Sequence, residues 1–361
     1  MKVPQFMPFV GESEYAQIKG CFEDNWITEG PRSKAFMEQL LQLTGAKYGV
    51  FAPNGTLAIY LGLVAAGIES GDEVIVPDFT FLGSASAVVM AGGTPVFCDV
   101  NRQNFQIDLE SASQVVSEKT KFIMPVHVYG TCCEMPDVLE FASQNQLKVI
   151  EDAAQAIGVS HGRVHAGTFG QVGTFSFFAD KTITTGEGGL VVTNDEAVYE
   201  SMLYLRNQGR VNRGSFIHPE IGYNFRITDI QAAVGLEQLS KLNTIREKKK
   251  YIWDFYVNEL GSIEALTFFK PNQNANFIPF RVAILSEKKP DIDSVLKAAD
   301  VETRSFFYPM RRQPCFKEMK ADKRPSYNSD VGFETGICLP SFVGITDEQL
   351  KYICDNIKKS L

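Results

Sequence analysis

Basic excess is the first thing this chain lacks: 35 lysines and arginines stand against 43 aspartates and glutamates, a formal net charge of -8. That balance excludes a general nucleic-acid binder, which needs surplus cations to displace the counterions of phosphates. An anionic small ligand could still be held by a local arginine cluster. No apolar run reaches membrane-spanning length, and the opening MKVPQFMPFVGESEY has neither the basic nor the apolar region of a secretory leader. A soluble, cytoplasmic protein with no membrane partner is the expectation. Paired cysteine spacing is missing too. The seven cysteines (Cys21, Cys98, Cys132, Cys133, Cys315, Cys338, Cys354) form no CxxC, and the adjacent Cys132-Cys133 suits neither a metal knuckle nor a disulfide framework. Reduced, buried thiols and no bound metal are expected. No repeat or low-complexity tract is visible, and 44% hydrophobic with 22% charged residues leaves no case for disorder.

What is present is a chain of 361 residues, long for one core and suited to two unequal lobes. Seven apolar runs read as strands: YGVFA (48–52), EVIVP (73–77), TPVFCDV (94–100), KFIMPVHV (121–128), LKVIED (147–152), GTFSFF (173–178) and LVVTN (190–194). Helix-length segments such as TLAIYLGLVAAGI (56–68) and MPDVLEFASQNQ (135–146) lie between them. This alternation predicts an α/β domain on a mainly parallel sheet covered on both faces. From about Thr228 a long helical pattern runs through DIQAAVGLEQLSKLNTIREKKKYIWDFYVNEL, and its charge run at 246–250 reads as a solvated face. The pattern leads into a smaller α+β unit, so residues 1–240 are expected as a large domain and 241–361 as a small C-terminal one.

Four short features carry chemistry. Asn54-Gly55-Thr56 follows a strand and opens a helix, where backbone N–H groups and the helix dipole attract an anion; the same residues also make an ordinary helix cap. Asp152 ends LKVIED, at the crevice where α/β sheets bind ligands, and a helix cap is again the plain alternative. Gln155 follows three residues later. Ser176 ends a strand-like run, and five residues on Lys181 opens the Gly/Thr-rich loop KTITTGEGG. A lysine forms an imine with an aldehyde only through its neutral amine, which burial and nearby cations supply. Each feature is weak by itself; together, in an α/β frame, they describe a holder for an aldehyde cofactor with a phosphate.

On these residues the chain resembles the DegT/DnrJ/EryC1/StrS family of pyridoxal-phosphate aminotransferases, particularly its nucleotide-sugar members of the perosamine-synthase kind. The blocks that carry the resemblance include WITEGPRSKAFMEQL, APNGTLAIYLGLVAAGIESGDEVIVPDFTF, EDAAQAIG, TFSFFADKTITTGEGGLVVTND, GYNFRITDIQAAVGLEQL and TRSFFYP. The resemblance implies the type I fold of such transferases, with pyridoxal 5'-phosphate as cofactor and pyridoxamine 5'-phosphate as its aminated form. Lys181 corresponds to the lysine that holds the cofactor's aldehyde, Asp152 to the partner of the pyridine nitrogen and Gln155 to the partner of the ring hydroxyl. Ser176, Gly55 and Thr56 correspond to phosphate ligands, Phe81 to the ring that stacks on the cofactor, and Asn224 to a phosphate contact from the second subunit. The implied reaction moves an amino group from glutamate to a nucleotide-linked keto-sugar in a homodimer with shared sites.

Two departures qualify the resemblance. Where perosamine-type relatives carry a His after the small-lobe Tyr-Pro, this chain has Met310-Arg311-Arg312, and EDAAQA stands where they have EDAAEA or EDCAEA. Arg304, Tyr308 and Arg311 are the expected substrate contacts, Arg311 for its bidentate reach, with surface arginines on a turn as the alternative. An aminocyclitol aminotransferase would share every cofactor residue and differ only in its acceptor. A sugar dehydratase on the same fold has His in place of the lysine, and a non-catalytic regulator is expected to have lost it; Lys181 argues against both.

Overall fold

The computed structural model describes residues 1–211, 214, 216–324 and 327–361. All seven predicted strands form. They are β1 (Tyr48–Ala52), β2 (Glu73–Pro77), β3 (Thr94–Cys98), β4 (Thr120–Ile123), β5 (Lys148–Asp152) and, after the short hairpin of β6 (Ser160–His161) and β7 (Val164–His165), β8 (Val172–Ser176) and β9 (Gly189–Thr193). Apart from the hairpin they build one sheet in the order β1-β9-β8-β5-β4-β2-β3. The β2, β3, β4, β5 and β8 pairings are parallel, while β9 runs antiparallel to both β1 and β8. The mainly parallel α/β architecture expected from the strand–helix alternation is therefore the one observed.

The strand pleat explains why these runs are apolar throughout. Successive side chains point to opposite faces, so Val74 and Val76 join one buried cluster with Ala58, Leu61 and Val88, while Ile75 joins another with Phe36, Phe177 and Ala232. Both faces are covered, as a parallel sheet requires. The run KFIMPVHV is shorter as a strand than its apolarity suggests. It stops at Ile123, because Pro125 has no N–H to donate and Tyr129 turns with φ 59°.

The helical pattern after Thr228 resolves into two helices, Asp229–Ser240 and Leu242–Leu260. The first is capped by Thr228, whose hydroxyl accepts from Gln231 N while the Gln231 side chain returns to Thr228 N. The break falls at Lys241, whose Nζ is drawn to Ser13 and Glu14. The second helix spans two cores. Leu242 and Ile245 join a cluster of the seven-stranded sheet, whereas Ile252, Trp253, Tyr256 and Leu260 pack on a second sheet. That sheet comprises β10 (Thr267–Phe268), β11 (Val282–Leu285), β12 (Arg304–Ser305) and β13 (Gly336–Leu339), in the order β10-β11-β13-β12 and antiparallel throughout.

One expectation needs correction here. The charge run 246–250 is not solvated throughout: Lys249 follows Ile245 by four residues and precedes Ile252 by three, so it lies on the buried face. Its Nζ donates to Ser341 O at 2.7 Å, and burial pulls its pKa down to about 7. The seven cysteines are free thiols, all buried except Cys315. No helix among the described residues is long and apolar enough to cross a membrane.

Candidate active site

The C-terminal ends of β1 and β8 meet the start of the helix Gly55–Ala65. Asn54 caps that helix, its Oδ1 accepting from Leu57 N at 3.0 Å, which leaves the earlier N–H groups of the first turn to face a ligand. A Cβ on Gly55 would lie 2.8 Å from Ser176 Cβ and 3.1 Å from its Oγ. Only glycine lets the helix start and the β8 serine approach this closely. Similarly, a Cβ on Gly83 would sit 2.7 Å from Thr56 Oγ1 and 3.4 Å from the Phe81 ring, so Gly83 lets those two side chains come together. Gly55, Thr56, Ser176 and Phe81 thus share one rim. Phe81 is 67% exposed in the single chain, an uncovered aromatic ring standing over it.

Asp152 closes β5 and is buried. Its Oδ2 accepts from the Ser84 hydroxyl at 2.7 Å, which itself contacts Thr80 Oγ1 at 2.8 Å, and its Oδ1 accepts from Ala154 N at 3.1 Å. The carboxylate is thereby held to the helix Leu82–Met90 that Phe81 begins. Gln155 Oε1 accepts from Tyr129 N at 2.8 Å, an assignment that turns its Nε2 outward as a donor. Ser84 was not among the residues singled out from the sequence. Its signal was faint, a small polar residue three after Phe81 that nothing in the stretch sets apart from Ser86.

Lys181 follows in the loop after β8. Its backbone N–H donates to Phe178 O at 2.9 Å, while among the described residues its amine makes no hydrogen bond or ion pair and lies 5.1 Å from the Phe280 ring centroid. Burial lowers its pKa below the ordinary lysine value. Asp180 and Asp152 oppose that shift, and Arg281 and Arg304 reinforce it. The amine is therefore biased toward the neutral, nucleophilic form. Arg281 and Lys249 are further residues near this lysine that the sequence reading passed over. Both had a signal, a cation inside the apolar run FIPFRVAIL and a cation on an apolar helix stripe.

The remaining expected residues are placed differently. Asn224 is exposed, its backbone bridged to Asn207, and no described hydrogen bond ties it to Ser176 or Lys181. Arg304 reaches the Asp180 carboxylate at 3.2 Å with its side chain 46% exposed, and Tyr308 packs edge-on to Phe333. The Arg311 guanidinium, expected to face substrate, is instead engaged by Asp330 and Asp78 and stacks 3.8 Å from the Tyr327 ring centroid.

Asp78 is fully buried, and burial pushes its pKa up from 3.8 to about 6 although Arg311 N–H, the Ser329 hydroxyl and the guanidinium oppose the shift. Folding favours the protonated form of this acid, so its contribution is complete below pH 3.8 and is lost as pH rises through about 6. Arg311→Ala removes the cation from the buried carboxylate and should cost about 3 kcal/mol of stability. The loss should be larger at about pH 8 than at about pH 5, as denaturant midpoints at the two pH values would read out.

Comparison with known proteins places this geometry. The profile of the DegT/DnrJ/EryC1/StrS aminotransferase family matches residues 8–358. The GDP-perosamine synthase of Escherichia coli O157:H7 is 37% identical over 361 residues, covering 99% of this chain and 98% of that one. The GDP-perosamine synthase of Vibrio cholerae is 34% identical with the same coverage. The solved structure of Spr1654 from Streptococcus pneumoniae in its PLP form superposes with a TM-score of 0.93 at 25% identity, covering 100% of both chains. Matched along nearly its whole length by the family profile and by two relatives above 30% identity, the chain belongs to the DegT/DnrJ/EryC1/StrS aminotransferase family.

Proposed function

We propose that this chain, a pyridoxal-phosphate aminotransferase by family, takes an amino group from glutamate and delivers it to a keto-sugar carried on a nucleotide, in the making of amino-deoxysugars for a surface polysaccharide or glycoside. The observation that carries the reading is the Lys181 amine, half-buried and, among the described residues, without a hydrogen bond or ion pair, coupled electrostatically to the acid that ends β5. The names of the two relatives, both GDP-perosamine synthases, support a nucleotide-linked acceptor.

The residues present fit pyridoxal 5'-phosphate. The glycine-opened approach of Ser176 to the helix start sets its hydroxyl beside the first-turn N–H groups, so Gly55, Thr56 and Ser176 would together hold the phosphate. Asp152, oriented by Ser84 and Ala154 N–H, would hold the pyridine nitrogen, and the outward Nε2 of Gln155 would donate to the ring hydroxyl. Phe81 would cover the ring and keep water from it. When bound, the cofactor supplies an electron sink for the pair left on carbon after proton removal. Lys181 supplies the nucleophilic nitrogen toward the aldehyde carbon. Its amine would also move the proton taken from the donor's α-carbon, acting first as base and then as acid. Arg304, exposed on the small-sheet side, offers a guanidinium to an anionic group of the substrate, with Tyr308 nearby in sequence.

The phosphate site is completed, in this reading, by Asn224 of a second copy of the chain, which makes the enzyme a homodimer with shared sites. Asn224→Ala should then weaken cofactor retention on dialysis by roughly tenfold, about the worth of one hydrogen bond to a charged group. Unchanged retention would count against the shared site. The reading as a whole is tested by the visible absorption band of the purified protein, which should shift on addition of glutamate. It is tested further by a screen of keto-sugar nucleotides beside scyllo-inosose. Turnover of scyllo-inosose alone would assign the chain to the aminocyclitol aminotransferases.

A further inference from the structure

Arg281 stands out in the sequence as a charge inside FIPFRVAIL, and the structure buries it to 6% exposure just ahead of β11. A buried guanidinium is costly unless it is paired. Arg281 is paired with Asp180, the residue next to Lys181 in the chain, and its Nη1 reaches Gln5 Oε1 at 3.4 Å. Its Cζ lies 4.5 Å from the Phe280 ring centroid, the same ring that the Lys181 amine approaches to 5.1 Å. Asp180 takes a second guanidinium from Arg304 at 3.2 Å. The carboxylate nearest in sequence to the reactive amine is therefore spent on two cations rather than on the amine.

We propose that Arg281 is a positioning residue for Lys181: by tying Asp180 into a buried ion pair, it keeps that carboxylate from drawing a proton onto the neighbouring amine and so keeps the amine nucleophilic. The inference rests on the reading of Lys181 as the cofactor lysine. The charged groups facing the amine come from several elements. Asp180 and Asp152 favour the ammonium, whereas Arg281 and Arg304 disfavour it. Lys249 lines the same pocket from the helix Leu242–Leu260, and the N-terminal residues Phe6, Met7, Pro8 and Phe9 on the remaining side bring no charge. Arg281 matters more than Arg304 because it is buried, and water screens a buried charge less than one 46% exposed.

The test is competitive labelling of Lys181 with acetic anhydride in the full chain freed of cofactor, followed by mass spectrometry across a pH series. In Arg281→Met the labelling midpoint should rise by about half to one unit, so that at about pH 7 Lys181 is labelled roughly three- to tenfold less than in the parent. Asp180→Asn should move the midpoint down, Arg281→Lys should leave it near the parent, and the double variant Asp180→Asn/Arg281→Met should return toward it. An unmoved midpoint in folded Arg281→Met overturns the proposal. So does faster labelling at every pH with the midpoint unchanged, which would mark a pocket merely opened. Should Arg281→Met fail to fold, an unmoved midpoint in Asp180→Asn overturns it equally. None of these readouts requires turnover, so their failure is distinct from failure of the aminotransferase reading, which the glutamate-induced band shift tests.

Discussion

Lys181→Ala is expected to abolish transamination, with a rate loss of about 10⁴-fold or more, the upper range for a single positioned acid–base group that is also the nucleophile. The visible band of the loaded protein should disappear with it, since the amine that would hold the aldehyde is gone. The fold should survive. Among the described residues the Lys181 amine has no hydrogen bond or ion pair to lose. Removing an amine whose ionisation is opposed by burial should leave the unfolding free energy within about 1 kcal/mol of the parent, or raise it. Wild-type turnover in a folded Lys181→Ala protein would contradict the assignment of the lysine.

Asp152→Asn should have the next largest effect, a loss of about 10²–10³-fold in turnover, the scale for removing one preorganised electrostatic partner of the reacting group. The amide preserves shape; its oxygen can still accept from Ala154 N–H while its Nδ2 donates to the Ser84 hydroxyl oxygen, so stability should change little. What it removes is the negative charge that would keep the pyridine nitrogen protonated. Half-reactions with glutamate, followed at the visible band, separate this from impaired loading. The expected variant loads cofactor but converts it slowly, whereas parent-like conversion would deny Asp152 its role.

Much of this arrangement was legible in the chain. The seven apolar runs became the seven strands because each is long enough and apolar enough to be buried on both faces, and that requirement writes itself into every position. Lys181, Asp152 and Ser176 were legible because strand ends and helix starts converge at one edge of a parallel sheet. What escaped notice depends on which distant residues meet. Ser84 reaches Asp152 across 68 positions, and Arg281 reaches Asp180 across 101, pairings no local pattern encodes. Lys249 sits in an unbroken run of charges, and only the four-residue step from Ile245 marks it as inward. Arg311 reads in the sequence as a substrate contact or a surface arginine on a turn; that Asp78, buried at the end of β2, and Asp330 engage its guanidinium is a long-range pairing. The helix break at Lys241 has no Gly or Pro to announce it.

Two lysines with lowered pKa values line one pocket, the half-buried Lys181 and the buried Lys249, and the account gives the cofactor to the first alone. The most direct test is to load the protein with pyridoxal 5'-phosphate, reduce it with borohydride, digest it and locate the pyridoxyl group by mass spectrometry. The account predicts a single modified peptide carrying the group on Lys181. Modification at Lys249, or none at either lysine in a fully loaded protein, would contradict it.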